Sequence, residues 1–444
     1  MTRSACLLTP LTALFLLHTP TVNAAPPAAL TRETVVERMR PYEGPHVSGT
    51  DTSTLLGKVM CGYQGWFAAE GDGSNLGWRH YAGRQGLQPG SCTFDLWPDV
   101  SELDEDERFP TDFRHADGSV AELFSPYNKK TVIRHFQWMA NCGIDGVFLQ
   151  RFGASLRSPP HLNHRNVVTE NVREGANRYG RTWAIMYDLS GSREGDIEQI
   201  VMEDWRQLVD RMKIRQDEAY QHHNGRPVVA VWGIGFNDGR RYTLDECDAL
   251  VRFLKDDPQY GENTVMLGVP TGWRTLSRDA ADDEKLHAII RQADIVSPWT
   301  VGRYRTPRQA KRHGKQWIAP DIAWCRDNDL DHLPVIFPGF SWHNLFKSRG
   351  EEAPLNQIPR LKGEFLWSQA VANYNAGAQM LYVAMFDEVD EGTAIFKCTN
   401  NPPVGQSPFL TYEGLPTDHY LHLTGQIGQL LRGEIEPTDS PPIR

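Results

Sequence analysis

Several familiar patterns are absent from this 444-residue chain, and each absence removes a class of function. There is no His-Glu-x-x-His, no Walker A loop and no Gly-x-Ser-x-Gly, so zinc-protease, P-loop and serine-hydrolase readings have no anchor. Gly233-Ile234-Gly235 follows an apolar run, but Gly239 stands one residue too far on for a dinucleotide fingerprint. A strand-end turn explains these glycines. No Cys-x-x-Cys occurs, which argues against a structural zinc site, and seven cysteines are too few for a disulfide scaffold. Positive charge is the scarcer sign: 46 Lys and Arg against 56 Asp and Glu give a formal charge of −10. Nucleic-acid binding needs a basic stripe to displace counterions, so nucleic acid is not an expected partner. Beyond residue 24 no stretch reaches about 18 apolar residues, so no membrane span is expected.

Aromatic residues are plentiful, with 18 Phe, 14 Tyr and 13 Trp. A chain so rich in them has enough surface to bury and is not disordered. The tryptophans also suit stacking on sugar rings, if several gather at one end of the fold. Arg3, the apolar run to Leu17 and the small residues of Val22-Asn23-Ala24 form an export-signal pattern. The expected organisation is therefore a signal peptide at 1–24, an entry segment at 25–55 and one folded unit at 56–444, secreted or periplasmic. The sequence does not choose a pairing for the six cysteines past the leader; Cys61 and Cys142 read as buried thiols.

Eight short apolar runs follow: Val59 to Phe67, Asp145 to Leu149, Trp183 to Tyr187, Val228 to Trp232, Thr264 to Val269, Ile295 to Trp299, Val335 to Phe340 and Gln379 to Phe386. They are continuous rather than alternating, as in parallel strands covered on both faces. Helical spacing lies between them at 128–142, 196–212, 243–254, 282–292, 363–376 and 422–431. Thr243-Leu244-Asp245-Glu246 is a capping box, and Gly143 suits a helix end. The expected fold is α/β, a single (β/α)₈ barrel, with a doubly wound sheet as the alternative. About sixty residues separate the first strand from the first helix, and a loop that long suggests function. Residues 67–127 are expected to cover the C-terminal mouth of the barrel. His161, His164, His222 and His223 read as surface residues of polar loops.

The densest chemistry follows the eighth run, in Phe386-Asp387-Glu388-Val389-Asp390-Glu391-Gly392-Thr393. Four carboxylates in five positions could be a solvated acidic loop, a calcium loop, or a catalytic pair in which crowding keeps one acid protonated. Glu388 and Glu391 are three residues apart, which puts them on one face of a helical turn. Other strand ends offer Tyr63, Gln64, Trp66, Gln150, Arg151, Tyr187, Asp188, Trp232, Trp299, Trp342 and His343. Of these, Tyr63, Trp66, Arg151, Tyr187, Asp188, Trp342 and His343 are the expected substrate contacts.

The acidic stretch resembles the phenylalanine–asparagine–glutamate–tryptophan–histidine–glutamate–glycine–threonine motif of glycoside hydrolase family 99 and the related family 71 proteins. Gly77-Trp78-Arg79-His80-Tyr81 resembles that family's early tryptophan–histidine segment, which adds His80 to the expected substrate contacts. Ala140 to Gly146 resembles the segment before its second strand. The resemblance implies a (β/α)₈ hydrolase of an oligo- or polysaccharide with a retaining mechanism. Glu391 would be the acid/base, and Glu388 the base that helps the sugar 2-hydroxyl attack the anomeric carbon. Tyr63 would lie near the reacting sugar. Asp387, Val389 and Asp390 stand where the family has asparagine, tryptophan and histidine, so the pocket differs. A monomer needing no metal or cofactor is expected. The alternative is a non-catalytic carbohydrate-binding barrel with a calcium-binding acidic loop.

Overall fold

The computed structural model describes Met1 and residues 30–442. The leader read at 1–24 falls, apart from Met1, outside the described residues. The sheet is built from β1 (Val59–Tyr63), β2 (Gly146–Phe152), β3 (Thr182–Asp188), β4 (Arg226–Trp232), β5 (Thr264–Pro270) and β6 (Ile295–Trp299). β7 comes in two short pieces, Asp331–His332 and Val335–Ile336, and β8 is Leu381–Val383. Neighbouring strands pair in parallel and in chain order; the first piece of β7 pairs with β6, the second with β8, and β8 with β1. This closes the barrel, and each expected run holds a strand, with the first piece of β7, Asp331–His332, lying ahead of its run.

The strands are continuous apolar runs because both faces are covered; β1, β3 and β8 are buried along their whole length. At the centre, Tyr382 of β8 fills the space left by Gly62 of β1, where an added Cβ would meet the tyrosine hydroxyl at 2.1 Å. Outside lie α1 (Lys129–Cys142), α2 (Pro159–Tyr179), α3 (197–212), α4 (Leu244–Asp256), α5 (Lys285–Ile290), α6 (307–327), α7 (Glu364–Asn375) and α8 (His419–Leu431). Local chemistry sets their ends. Asn128 caps α1 by accepting from Lys130 N at 3.0 Å, and Gly143 ends it at φ 77°. At α4, Thr243 Oγ1 accepts from Glu246 N, and Thr243 N donates to the Glu246 carboxylate, the expected capping box.

Two helices, α2 and α6, were not legible as periodic segments. α2 buries Arg165, Asn166, Thr169, Asn171, Arg173 and Asn177 among Leu162, Val168, Val172 and Ala176, so polar residues interrupt its apolar spacing. It also corrects the surface reading of two histidines. His164 sits on α2, buried, with Nε2 3.2 Å from Phe67 O. His223 is buried between Leu55 N, which donates to Nδ1 at 3.1 Å, and Asp331, which accepts from Nε2 at 2.8 Å.

The long β1–α1 connection divides in two. Its first half folds over the ends of the strands: Asp95 accepts from Ser341 Oγ at 2.6 Å and from the backbone of His343 and Asn344, all past β7. Its backbone also bonds the segment past β8, with Asp95 N donating to Val389 O. The second half is an antiparallel hairpin, Phe109–Arg114 with Val120–Leu123. The turn before it is tied to α1 through buried Glu107, which accepts from Thr131 and Arg134. Among the described residues, no helix is long and apolar enough to cross a membrane.

Candidate active site

At the C-terminal ends of the strands lies a cavity of about 190 Å³. Gln64, Gln150, Asp188, Trp232, Trp299, Glu388 and Glu391 face it, with Trp66 and Phe152 on one side. That is the end of the barrel where loops can bring chemistry together without disturbing the packed interior.

The acidic stretch is not a solvated loop. Phe386 through Asp390 are all buried and Glu391 is partly exposed. Asp387 faces the backbone after β1, its carboxylate accepting from Gln64 N at 2.7 Å and Gly65 N at 2.8 Å. Burial raises its pKa to about 6 against the pull of those donors. Glu388 Oε1 accepts from Gln64 Nε2 at 2.8 Å, and Oε2 from Thr393 Oγ1 at 2.7 Å. Gly392 makes the turn between them at φ 64°, and an added Cβ would stand 2.9 Å from Ser341 N. Burial, then the charges of Glu391 and Asp390, hold Glu388 well above the ordinary glutamate range. Asp390 is raised by the same causes, burial first and Glu391 second. Its Oδ2 lies 3.4 Å from His80 Nδ1, and its Oδ1 is buried without a partner among the described residues.

Glu391 differs from the other three. Its carboxylate makes no hydrogen bond to the described residues and faces the cavity. Burial pushes its pKa up to about 7; Arg349 opposes this and Asp188 adds to it. Asp188, across the cavity on β3, is raised to about 6 by burial while accepting from Ser190 N at 2.7 Å. Like charges gathered at one mouth disfavour ionising all three acids together. Among the described residues, no group of three His, Cys, Asp or Glu side chains is placed to hold a metal ion.

The other expected contacts scatter. Trp66 walls the cavity, and His80 stacks on its far face with ring centroids 4.1 Å apart. Tyr63, Arg151 and Tyr187 are fully buried behind the wall. The Tyr63 hydroxyl is 2.9 Å from His135 Nδ1. Arg151 pairs with Asp204 through Nε at 2.9 Å and Nη2 at 2.5 Å, and Tyr187 donates to the same carboxylate at 2.7 Å. Trp342 packs between Phe340 and Phe346. His343 opens a short helix, its Nδ1 donating to Ala353 O at 2.7 Å. None of these five lines the cavity.

Trp66, Asp188, Glu388 and Glu391 line it as expected, and Gln64 and Gln150 stand one position from the expected Tyr63 and Arg151. Successive strand side chains point to opposite sides, so Gln64, Gln150 and Asp188 face the mouth while Tyr63, Arg151 and Tyr187 face the helices. Gln150 reaches inward to the Tyr382 hydroxyl at 3.0 Å. Strand phase was the available signal.

No protein-family model matches the chain, and no curated protein matches it. Solved structures do. A GH99 endo-alpha-mannosidase from Bacteroides thetaiotaomicron, in complex with BIS-TRIS-Propane, superposes with a TM-score of 0.58 at 14% identity. The match covers 86% of this chain and 98% of that one. The chain is similar in fold to the family 99 enzymes. A second structure of the endo-alpha-mannosidase from that organism gives a TM-score of 0.56 at 15% identity, over 86% and 99% of the two chains. A glycoside hydrolase-like protein gives 0.52 at 12%, over 88% and 98%. The shared architecture is the (β/α)₈ barrel.

Proposed function

We propose that this chain is a retaining glycoside hydrolase, secreted or periplasmic, and acting on an oligo- or polysaccharide. One observation carries the reading. Glu391 stands free in the cavity with its pKa pushed up to about 7, while Glu388 beside it accepts from Gln64 and Thr393. Burial raises both carboxyls, and the charges of Glu391 and Asp390 raise Glu388 further, so the pair holds a proton near neutral pH. Glu391 as the acid and Glu388 as the base is the order the motif resemblance implies, and it leaves the acid as the carboxyl that faces the cavity without a protein partner.

In the first step Glu388 takes the proton of the sugar 2-hydroxyl as that oxygen bonds to the anomeric carbon. Glu391 protonates the departing oxygen as the glycosidic bond breaks. In the second step Glu391 takes a proton from water, the water oxygen bonds to the anomeric carbon, and Glu388 returns its proton to the 2-oxygen. Two inversions retain configuration. Trp232, Trp299 and Trp66 offer ring faces to the sugar, and Asp188 accepts from a hydroxyl. A defined glycan panel tests the reading: the purified protein releases a reducing end from at least one member, and the product first appears with retained configuration. Release with inverted configuration, or no release while the folded protein binds the glycan, would count against it.

A further inference from the structure

Behind Trp66 and Phe152 lies a second cavity, of about 340 Å³, and those two rings belong to both. Its volume falls within the ~300–1,000 Å³ of small-ligand pockets. Its walls hold Arg79, Arg165 and three histidines, and no carboxylate. Arg165 is 6% exposed, and its one protein hydrogen bond runs from Nη1 to Gln64 O at 2.9 Å. No carboxylate lies within ion-pair distance of Arg165 or Arg79 among the described residues. Arg151, at the same end of the barrel, is neutralised by Asp204 at 2.5 Å. Burial together with the charges of Arg151 and Arg79 lowers the Arg165 pKa to about 9, and Asp387 and Asp188 oppose this from further off. The guanidinium therefore stays charged at neutral pH with most of its donors unused.

A helix end adds to this field. α2 begins at the cavity, where its N-cap Ser158 makes no capping bond and both Ser158 and His161 line the wall. The positive end of a 21-residue helix thus points toward the same space as two unpaired guanidinium groups. An uncompensated buried cation is costly in a folded protein unless something supplies the opposite charge.

Resting on the glycosidase reading above, we infer that this second cavity is a subsite for an anionic substituent, a carboxylate, sulfate or phosphate carried by a sugar unit next to the one cleaved. Arg165 and Arg79 would grip the anion from two sides, and Trp66 would separate the charged unit from the reacting one. The substrate would then be an acidic glycan.

The test is direct binding to the purified protein, followed by tryptophan fluorescence and calorimetry, with four probes. Methyl glucuronide, glucose 6-sulfate and glucose 6-phosphate present the three anions, and methyl glucoside is neutral. At least one anionic probe should bind about tenfold or more tightly than the neutral one, the margin of one charge-assisted contact, and which probe wins names the anion. Arg79→Ala, an exposed position that should fold, should erase that margin and leave methyl glucoside unchanged; Arg165→Gln should do the same wherever circular dichroism shows it folded. Glu391→Gln should bind the anion as wild type does, so a failed catalytic reading leaves this result standing. Equal binding of charged and neutral probes, or an Arg79→Ala variant that keeps the margin, would overturn the inference.

Discussion

The two cavities share a wall of Trp66 and Phe152 and differ in nearly everything else. On one side Asp188, Glu388 and Glu391 meet with no cation among the walls; on the other Arg79 and Arg165 meet with no carboxylate. Each imbalance serves a purpose the other could not. Crowded carboxylates raise one another's pKa and keep a proton at hand, whereas unpaired guanidinium groups keep their charge and wait for an anion. Had the two sets been mixed, salt bridges would have cancelled both. The aromatic wall keeps them apart, and His80 on its basic side still reaches Asp390 at 3.4 Å.

The largest effect should come from the acidic side. Removing either Glu388 or Glu391 as glutamine should lower turnover on an unactivated glycan by about 10²–10⁴, the usual range for acid–base groups. Near-normal turnover in either folded variant would break the comparison at its acidic end.

A smaller effect should separate the two buried arginines. Asp204→Ala strips the partner from Arg151 and also leaves the Tyr187 hydroxyl without its acceptor, so it should cost about 3–5 kcal/mol in urea unfolding. Arg165→Leu removes a charge that has no ion-pair partner, and its cost should be clearly less. Equal losses would mean that Arg165 is a structural cation after all.

The smallest effect is in the pH dependence of stability. Glu391 rises from an ordinary 4.5 to about 7 on folding, so the folded state binds the extra proton between those values. Folding stability from this group is present below its unfolded pKa and declines as pH rises toward the folded one. Glu391→Gln should therefore gain on wild type as pH is raised from about 5 to about 8, as followed by thermal unfolding. A constant difference would show that Glu391 titrates normally.

Much of the barrel was legible because apolar continuity is imposed by burial on both faces of a parallel strand. All eight runs became strands, and the Thr243 capping box and the Gly143 helix end formed as read. What escaped was polar burial. α2 hides Arg165 and six other polar residues among its apolar ones, and that mixture blurs the hydrophobic spacing by which a helix is read. The second cavity, which α2 helps to build, escaped with it. The acidic motif was visible as four carboxylates past a strand, but strand phase decided which neighbours share its mouth, and three choices fell one residue out of phase. Trp342 failed for another reason: β7 stops at Ile336, so the residues past it are held by Asp95 of the long connection rather than aimed by the strand.

The assignment of Glu391 as acid and Glu388 as base is tested most directly by an activated leaving group. A dinitrophenyl glycoside of the preferred sugar needs no protonation to depart, but still needs the 2-hydroxyl activated. In the first turnover, Glu391→Gln should release dinitrophenolate at close to the wild-type rate while remaining slow on the natural glycan. Glu388→Gln should be slow on both. Rescue of Glu388→Gln instead, or equal loss in the two variants on the activated substrate, would contradict the account.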